Sequence, residues 1–175
     1  MPLYTAGQRI RASEINALPQ LYRVTTPQIC NNSATLRDVT GLAFQADINA
    51  LYLVECFLFC HVSTAGNVKF AWVVPSGTLQ TDSPTQYAGS IWGAQGVVSS
   101  AGSGAGSLDS RVSAALTTAQ ARSGDASTAV LLCPVMVVAI GTTSGTVKLQ
   151  YAQNAATVHD TTVRAGSTMR VSRLG

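Results

Sequence analysis

The sequence predicts an all-β sandwich or barrel preceded by a short N-terminal helical segment. Three observations predict it. From about residue 21 onward, roughly eight to ten short runs of strand-forming residues are separated by turn signals at short spacing. Two of those runs, 51–60 and 130–140, are apolar on both of their period-two faces. Finally, only 11% of the 175 residues are charged, where an ordinary soluble domain carries about 25%. A coiled coil needs a Glu/Lys/Leu-rich chain, so composition excludes it. Composition also excludes a charged disordered chain.

The elements follow in order. Ser13 is a helix N-cap, Glu14 suits the first turn, and Pro19 ends the helix. About two turns of helix are not stable alone, so residues 1–20 must dock on the chain's own body, a sister chain or a partner. The domain proper then spans 21–175. Strands are expected over 21–25, 35–44 with a bulge or kink at Thr40-Gly41, 49–62, and 68–74 pairing back across a 64–67 hairpin loop. Weaker strand material runs over 85–99. Residues 99–107 form a small-residue loop, and 108–118 fits either strand or helix. A second long strand covers 128–140, and 146–153 returns after a 142–145 turn. Segments 161–164 and 167–174, joined by a turn or bulge at Ala165-Gly166, close the chain.

The long strands carry most of the information. A strand with one wet side alternates apolar and polar, as Val147, Leu149 and Tyr151 do against Lys148, Gln150 and Ala152. In 51–60, one face offers Tyr52, Val54, Cys56, Leu58 and Cys60. The other offers Leu51, Leu53, Glu55, Phe57 and Phe59. In 130–140, Val130, Leu132, Pro134, Met136, Val138 and Ile140 oppose Leu131, Cys133, Val135, Val137 and Ala139. Strands apolar on both sides need a second cover. That cover is either another subunit or the chain's own loops and N-terminal helix. The candidate interface is Leu51, Leu53, Glu55, Phe57, Phe59, Leu131, Val135 and Val137. Pro134 cannot donate a ladder hydrogen bond and belongs on an edge or at a bulge.

Chemistry-bearing residues are sparse, and no catalytic residue, metal site or cofactor is expected. Cys30, Cys56, Cys60 and Cys133 lack zinc-type spacing and read as four buried thiols. Cys56 and Cys60 would lie about 13 Å apart on one strand face, too far for a disulfide. Neither His61 nor the His159-Asp160 neighbours form a triad signal. There is no nucleophile elbow and no phosphate loop. Glu55 is either a buried polar specifier at an oligomer axis or interface, or an outward-facing strand carboxylate near the surface. Its candidate partners are Arg37, Lys69, Arg111 and Arg122. Trp72, Trp92 and Tyr87 are either a sugar platform or packing residues, with Trp72 in phase with Val68, Phe70 and Val74. A net charge of +3 with scattered basic residues argues against nucleic acid. The longest apolar stretch, 129–140, contains Pro134 and falls short of the about 20 residues that a membrane helix needs. No secretory signal follows Met1.

The opening Thr5–Leu18 stretch, TAGQRIRASEINAL, resembles a segment common at the start of tail-fibre, head-fibre and decoration proteins of tailed bacteriophages, especially those infecting actinobacteria. TLRDVTGL at 35–42, VKFAWVVP at 68–75 and AGSTMRVSRL at 165–174 are similar to the same type. The resemblance implies a virion structural protein, assembled in the host cytoplasm, with a jelly-roll-like antiparallel β-sandwich of the C1q/TNF class, usually a homotrimer. It implies particle anchoring through Tyr4, Gln8, Arg9, Ile10, Arg11, Ile15 and Leu18. The partner would be the major capsid protein or a tail component. A tail-fibre module recognising host-surface glycan through loops 76–107 and 154–161 is the alternative.

Overall fold

The computed structural model describes residues 18–63, 65–78, 89–98, 111–113, 120–122 and 129–175. The expected helix and all the expected anchoring residues except Leu18 lie outside them, as do loop 99–107 and Tyr87. The described chain is all-β, with two antiparallel sheets.

Twelve strands are described. They are β1 (Gln20–Arg23), β2 (Gln28–Cys30), β3 (Arg37–Ala46), β4 (Leu51–His61), β5 (Val68–Val73), β6 (Gly89–Val98), β7 (Arg111–Ser113), β8 (Gln120–Arg122), β9 (Ala129–Ala139), β10 (Gly145–Gln153), β11 (Thr161–Val163) and β12 (Thr168–Arg173). The larger sheet runs β1-β12-β4-β9-β6-β7, and β11 pairs with both β4 and β2. The smaller runs β3-β10-β5-β8. β11 and β12 lie one after the other along the same edge of β4, because Thr162 faces His61 while Thr168 faces Phe57. The break between them is a turn at Gly166, φ 90°, which Val24 of the neighbouring strand grips by donating to the Ser167 carbonyl and accepting from Gly166.

Inner faces of both sheets close one core. Val54, Cys56, Leu58, Met136 and Val138 come from the larger sheet, and Val39, Phe44, Phe70, Trp72, Leu149 and Tyr151 from the smaller. Phe44 meets Tyr52 edge-on across the layers at 5.2 Å between ring centres, a geometry aromatic pairs favour. Trp72 is buried together with Val68 and Phe70, in the phase the sequence predicts. A sugar platform that includes Trp72 is therefore ruled out, since its ring lies inside the core.

The expected kink in β3 is present. Lys148 pairs with Ala43 but Gln150 pairs with Asp38, so β3 carries extra residues at this point. Gly41 sits there with φ 93°. A Cβ on Gly41 would lie 2.6 Å from the Arg23 carbonyl oxygen, a backbone atom that cannot step aside. Gly41→Val is expected to lower unfolding free energy by at least ~2 kcal/mol through strain and clash, measured by urea denaturation.

Two expectations are corrected. β5 does not pair back on β4, nor β10 on β9. Both cross to the smaller sheet, where β10 lies between β3 and β5. The reason is occupancy: β4 already has β11 and β12 on one edge and β9 on the other, and β9 is flanked by β4 and β6. Pro134, for which the sequence allowed an edge or a bulge, lies in a central strand and takes the second of these. It is accommodated at an irregularity, as β6 shifts register between Gly93 and Gln95 beside it. The β4 partners also skip from Glu55–Val135 to Leu58–Leu132. Strands β2 and β8 stand where no strand was expected; each is three residues long and exists through its tertiary partner.

Candidate functional site

The two sheets differ on their outer faces. On the smaller sheet that face is polar. Asp38, Gln45, Thr146, Lys148 and Gln150 stand on adjacent strands. Asp38 accepts from Lys148 at 2.7 Å and Gln150 at 2.8 Å. These two hydrogen bonds hold its carboxyl below the ordinary carboxylate range. This is the wet side that the Lys148 alternation predicts.

The outer face of the larger sheet is apolar over β4 and β9, and polar where β12 brings Thr168, Arg170 and Ser172 to it. β4 alternates strictly: Tyr52, Val54, Cys56, Leu58 and Cys60 are buried, while Leu51, Leu53, Glu55, Phe57 and Phe59 face outward. β9 behaves in the same way from Val130 to Ile140. Registers place the outward residues side by side: Leu51 with Ala139, Leu53 with Val137, Glu55 with Val135 and Phe59 with Leu131. All eight expected interface residues thus converge on one sheet face. Phe57 and Phe59 are 48% and 44% exposed, more than is usual for phenylalanine in a folded domain. β1 extends the patch, because Leu21 stands opposite Arg170 and is 69% exposed. Sequence reasoning missed Leu21, which lies in a four-residue strand that carries no face signal on its own.

Glu55 is the one charged residue that β4 and β9 bring into this apolar field. Its partner is Arg170 on the adjacent strand β12, not Arg37, Lys69, Arg111 or Arg122. Arg170 Nε and Nη2 both reach Glu55 Oε2 at 2.8 Å. Arg37 instead stacks over Tyr151, 5.1 Å from the ring centre, and donates to the Ile29 carbonyl. Glu55 faces outward, as the simpler of its two readings has it.

The thiols divide likewise. Cys30, Cys56 and Cys60 are buried, whereas Cys133 is only half-buried, which corrects the expectation of four buried thiols. Its register places it on the outer face. Burial pushes the Cys60 thiol up to about 12 and the Cys56 thiol higher; Cys133 is raised as well. Iodoacetamide at mildly alkaline pH is therefore expected to label Cys133 well ahead of the other three, read by peptide mass spectrometry. Labelling should slow further when the outer face is covered.

A groove of about 350 Å³ opens between the sheets at the β1 edge, where Leu18, Tyr22, Phe44, Asp47, Tyr52 and Arg173 line it. Asp47 pairs with Arg173 at 2.8 Å. Leu18, one of the expected anchoring residues, is exposed at this groove. At the opposite end of β10, His159 and Asp160 lie in an exposed loop, and Asp160 accepts from Asn31 at 2.8 Å. His61 is exposed at the end of β4. No cluster of three or more His, Cys, Asp or Glu side chains suited to a metal ion occurs among the described residues.

No family model matches the chain, and no curated protein matches it. Among solved structures, the tripod (BppUct-A-L) from the baseplate of bacteriophage Tuc2009 is similar at 9% identity and a TM-score of 0.38, over 98% of this chain and 73% of that one. A chain of infectious bursal disease virus, Gx strain, is similar at 9% identity and a TM-score of 0.23. That match covers 99% of this chain and 45% of that one. The protein class that the chain's own fold and site define is a two-sheet antiparallel β protein with one wet face and one uncovered apolar face.

Proposed function

We propose that this chain is a non-enzymatic structural protein of a bacteriophage virion, a decoration protein that self-associates as a homotrimer and is attached through residues 1–20. One observation carries the self-association: the larger sheet leaves an apolar outer face uncovered while the smaller presents a polar one. The difference has a sign. Covering the apolar face with a second copy removes Phe57, Phe59, Leu53 and Val137 from water, and the polar face stays wet. Stable interfaces bury about 800 Å² per partner, an area within reach of a sheet face of this size.

The strand order supports the jelly-roll reading. The chain alternates between the sheets, β3 to β4 to β5 and again β8 to β9 to β10, as the two interleaved Greek keys of a jelly roll do. The phage assignment and the anchor role rest on the resemblance of residues 5–18, 35–42, 68–75 and 165–174 to phage fibre and decoration proteins. The partner would be the major capsid protein or a tail component. Two measurements test the reading. Mass photometry should give a particle of three 18.2 kDa chains; a monomer at micromolar concentration overturns the self-association. Deleting residues 2–20 should leave that particle intact but abolish its incorporation into virions, and unimpaired incorporation overturns the anchor.

A second reading, receptor or glycan recognition at a fibre tip, is favoured by the 154–160 loop. Val158 is 74% exposed there, on a loop held from beneath by the buried Gln153 amide. A rigid exposed loop suits recognition. Binding of the chain to host cells, lost on Val158→Asp, would favour this role.

A further inference from the structure

We propose that Glu55 and Arg170 set the register in which copies of this chain pack, each carboxylate meeting the guanidinium of the neighbouring copy. The inference rests on the copy-to-copy reading above and adds what fixes its alignment. The pair sits in a row that runs Leu21, Arg170, Glu55, Val135 across β1, β12, β4 and β9. Leu53 and Val137 lie on one side of that row, and Phe57 and Phe59 on the other. It is the one ion pair within this apolar field among the described residues.

The pair is only half used within the chain. Both Arg170 donors converge on Oε2, so Oε1 accepts no hydrogen bond and Nη1 donates none among the described residues. Arginine offers five donors and a carboxylate two oxygens. The Arg170 side chain is about half exposed, so the spare donors face outward.

An apolar sheet face by itself specifies register weakly. Side chains repeat every second residue, and a slip of two along the strands sets leucine or valine against similar residues again. The ion pair removes that freedom. Any alignment that covers Glu55 and Arg170 with Leu53 or Val135 of the neighbour desolvates the unused groups without giving them a partner, which is strongly unfavourable. Alignments that set each carboxylate against a neighbour's guanidinium satisfy both. Because both signs lie within one patch, each copy in a closed ring can set its carboxylate against one neighbour's guanidinium and its guanidinium against the other neighbour's carboxylate, so a ring of three leaves neither charge unmet. Further copies offer both charges, whereas a partner of a single charge sign does not.

Charge exchange between chains tests this on the full-length protein. Glu55→Arg alone and Arg170→Glu alone should each weaken self-association at least tenfold by mass photometry, with circular dichroism confirming that both fold. An equimolar mixture of the two should recover association in part, well above either variant alone, because two of the three contacts in a mixed ring then join opposite charges. A mixture as dissociated as its components overturns the inference, because the pair then acts only within one chain. So does unchanged association of either single variant. Glu55→Gln keeps the shape and stands in if a charge reversal does not fold; it should weaken association at least threefold, and no change overturns the proposal. A monomeric wild-type chain, or assembly that survives lysines at Leu53 and Phe57, overturns the underlying reading of the face. An apolar face sensitive to those lysines with an unresponsive mixture overturns the register role alone.

Discussion

Gln153→Leu is expected to lower unfolding free energy by about 3–5 kcal/mol and to free the 154–160 loop, although it replaces one buried side chain by another of similar size. Gln153 is the last residue of β10 and is fully buried. Its amide is completely used. Oε1 accepts from the Ser33 and Thr157 N–H groups, both at 3.0 Å. Nε2 donates to the Thr157 carbonyl at 3.1 Å and to the His159 carbonyl. Leucine removes all four bonds and leaves the Ser33 and Thr157 N–H groups and the His159 carbonyl to find water, each at a cost of about 1–3 kcal/mol when buried, while the Thr157 carbonyl keeps the Asn32 N–H at 2.8 Å. Loosening of the loop recovers part of that cost, which is why the expected loss stays below the full sum. Urea denaturation measures the loss, and faster proteolytic cleavage within 154–160 reports the loosening. A change below 1 kcal/mol with an unaltered loop contradicts the account.

Gln153→Glu separates the two halves of the amide. It keeps the acceptor side but sets a carboxylate oxygen against two carbonyls. The folded state therefore disfavours the charged form and raises the pKa of the introduced carboxyl above its unfolded value. For a carboxyl shifted upward, the ionisation cost is absent below the unfolded pKa and complete above the folded one. The stability gap between Gln153→Glu and wild type should thus narrow as pH falls toward ~4. At that end the protonated acid donates one hydrogen bond and recovers part of the network.

Period-two alternation makes the faces of 51–60 and 130–140 legible, because it is local and strict. The same signal cannot show which strands are neighbours. Turns at 64–67 and 142–145 read as hairpins, since a short polar loop between apolar runs looks alike whether the chain folds back in one sheet or crosses to the next. Crossing is dictated by edges filled from far along the chain. β12 takes one side of β4 from 115 residues away, as the Arg170–Glu55 bond records. The partner of Glu55 was hidden for that reason: no spacing rule ties residue 170 to residue 55. Cys133 reads as a core thiol by composition, while its register beside outward-facing Val135 places it on the uncovered face. Gln153 carried no signal at all, because its role depends on loop carbonyls that meet only after both sheets close.

Lysines at positions 53 and 57 give the largest expected effect on assembly. Leu53 and Phe57 both point outward from β4, two pleats apart, so the two charges do not crowd each other. In an isolated chain each lysine lays its stem on the sheet and its ammonium in water. Stability of the folded monomer should therefore change by less than ~1 kcal/mol. In an assembly the effect is opposite in scale. Each copy loses the burial of two apolar side chains, about 1.5–3 kcal/mol apiece, and must desolvate two ammonium groups. Since about 1.4 kcal/mol is tenfold in affinity, Leu53→Lys with Phe57→Lys should weaken association at least ~100-fold and leave monomer at micromolar concentration. Cys133, on the same face, should then react with iodoacetamide faster than in wild type. Gln150→Lys on the polar face is the control and should change neither mass nor labelling. If the lysine pair unfolds the chain instead, the face is packed by the chain itself, and its apolar side chains belong to a second core and not to an interface. If the variant assembles as wild type does, the contact lies elsewhere on the molecule.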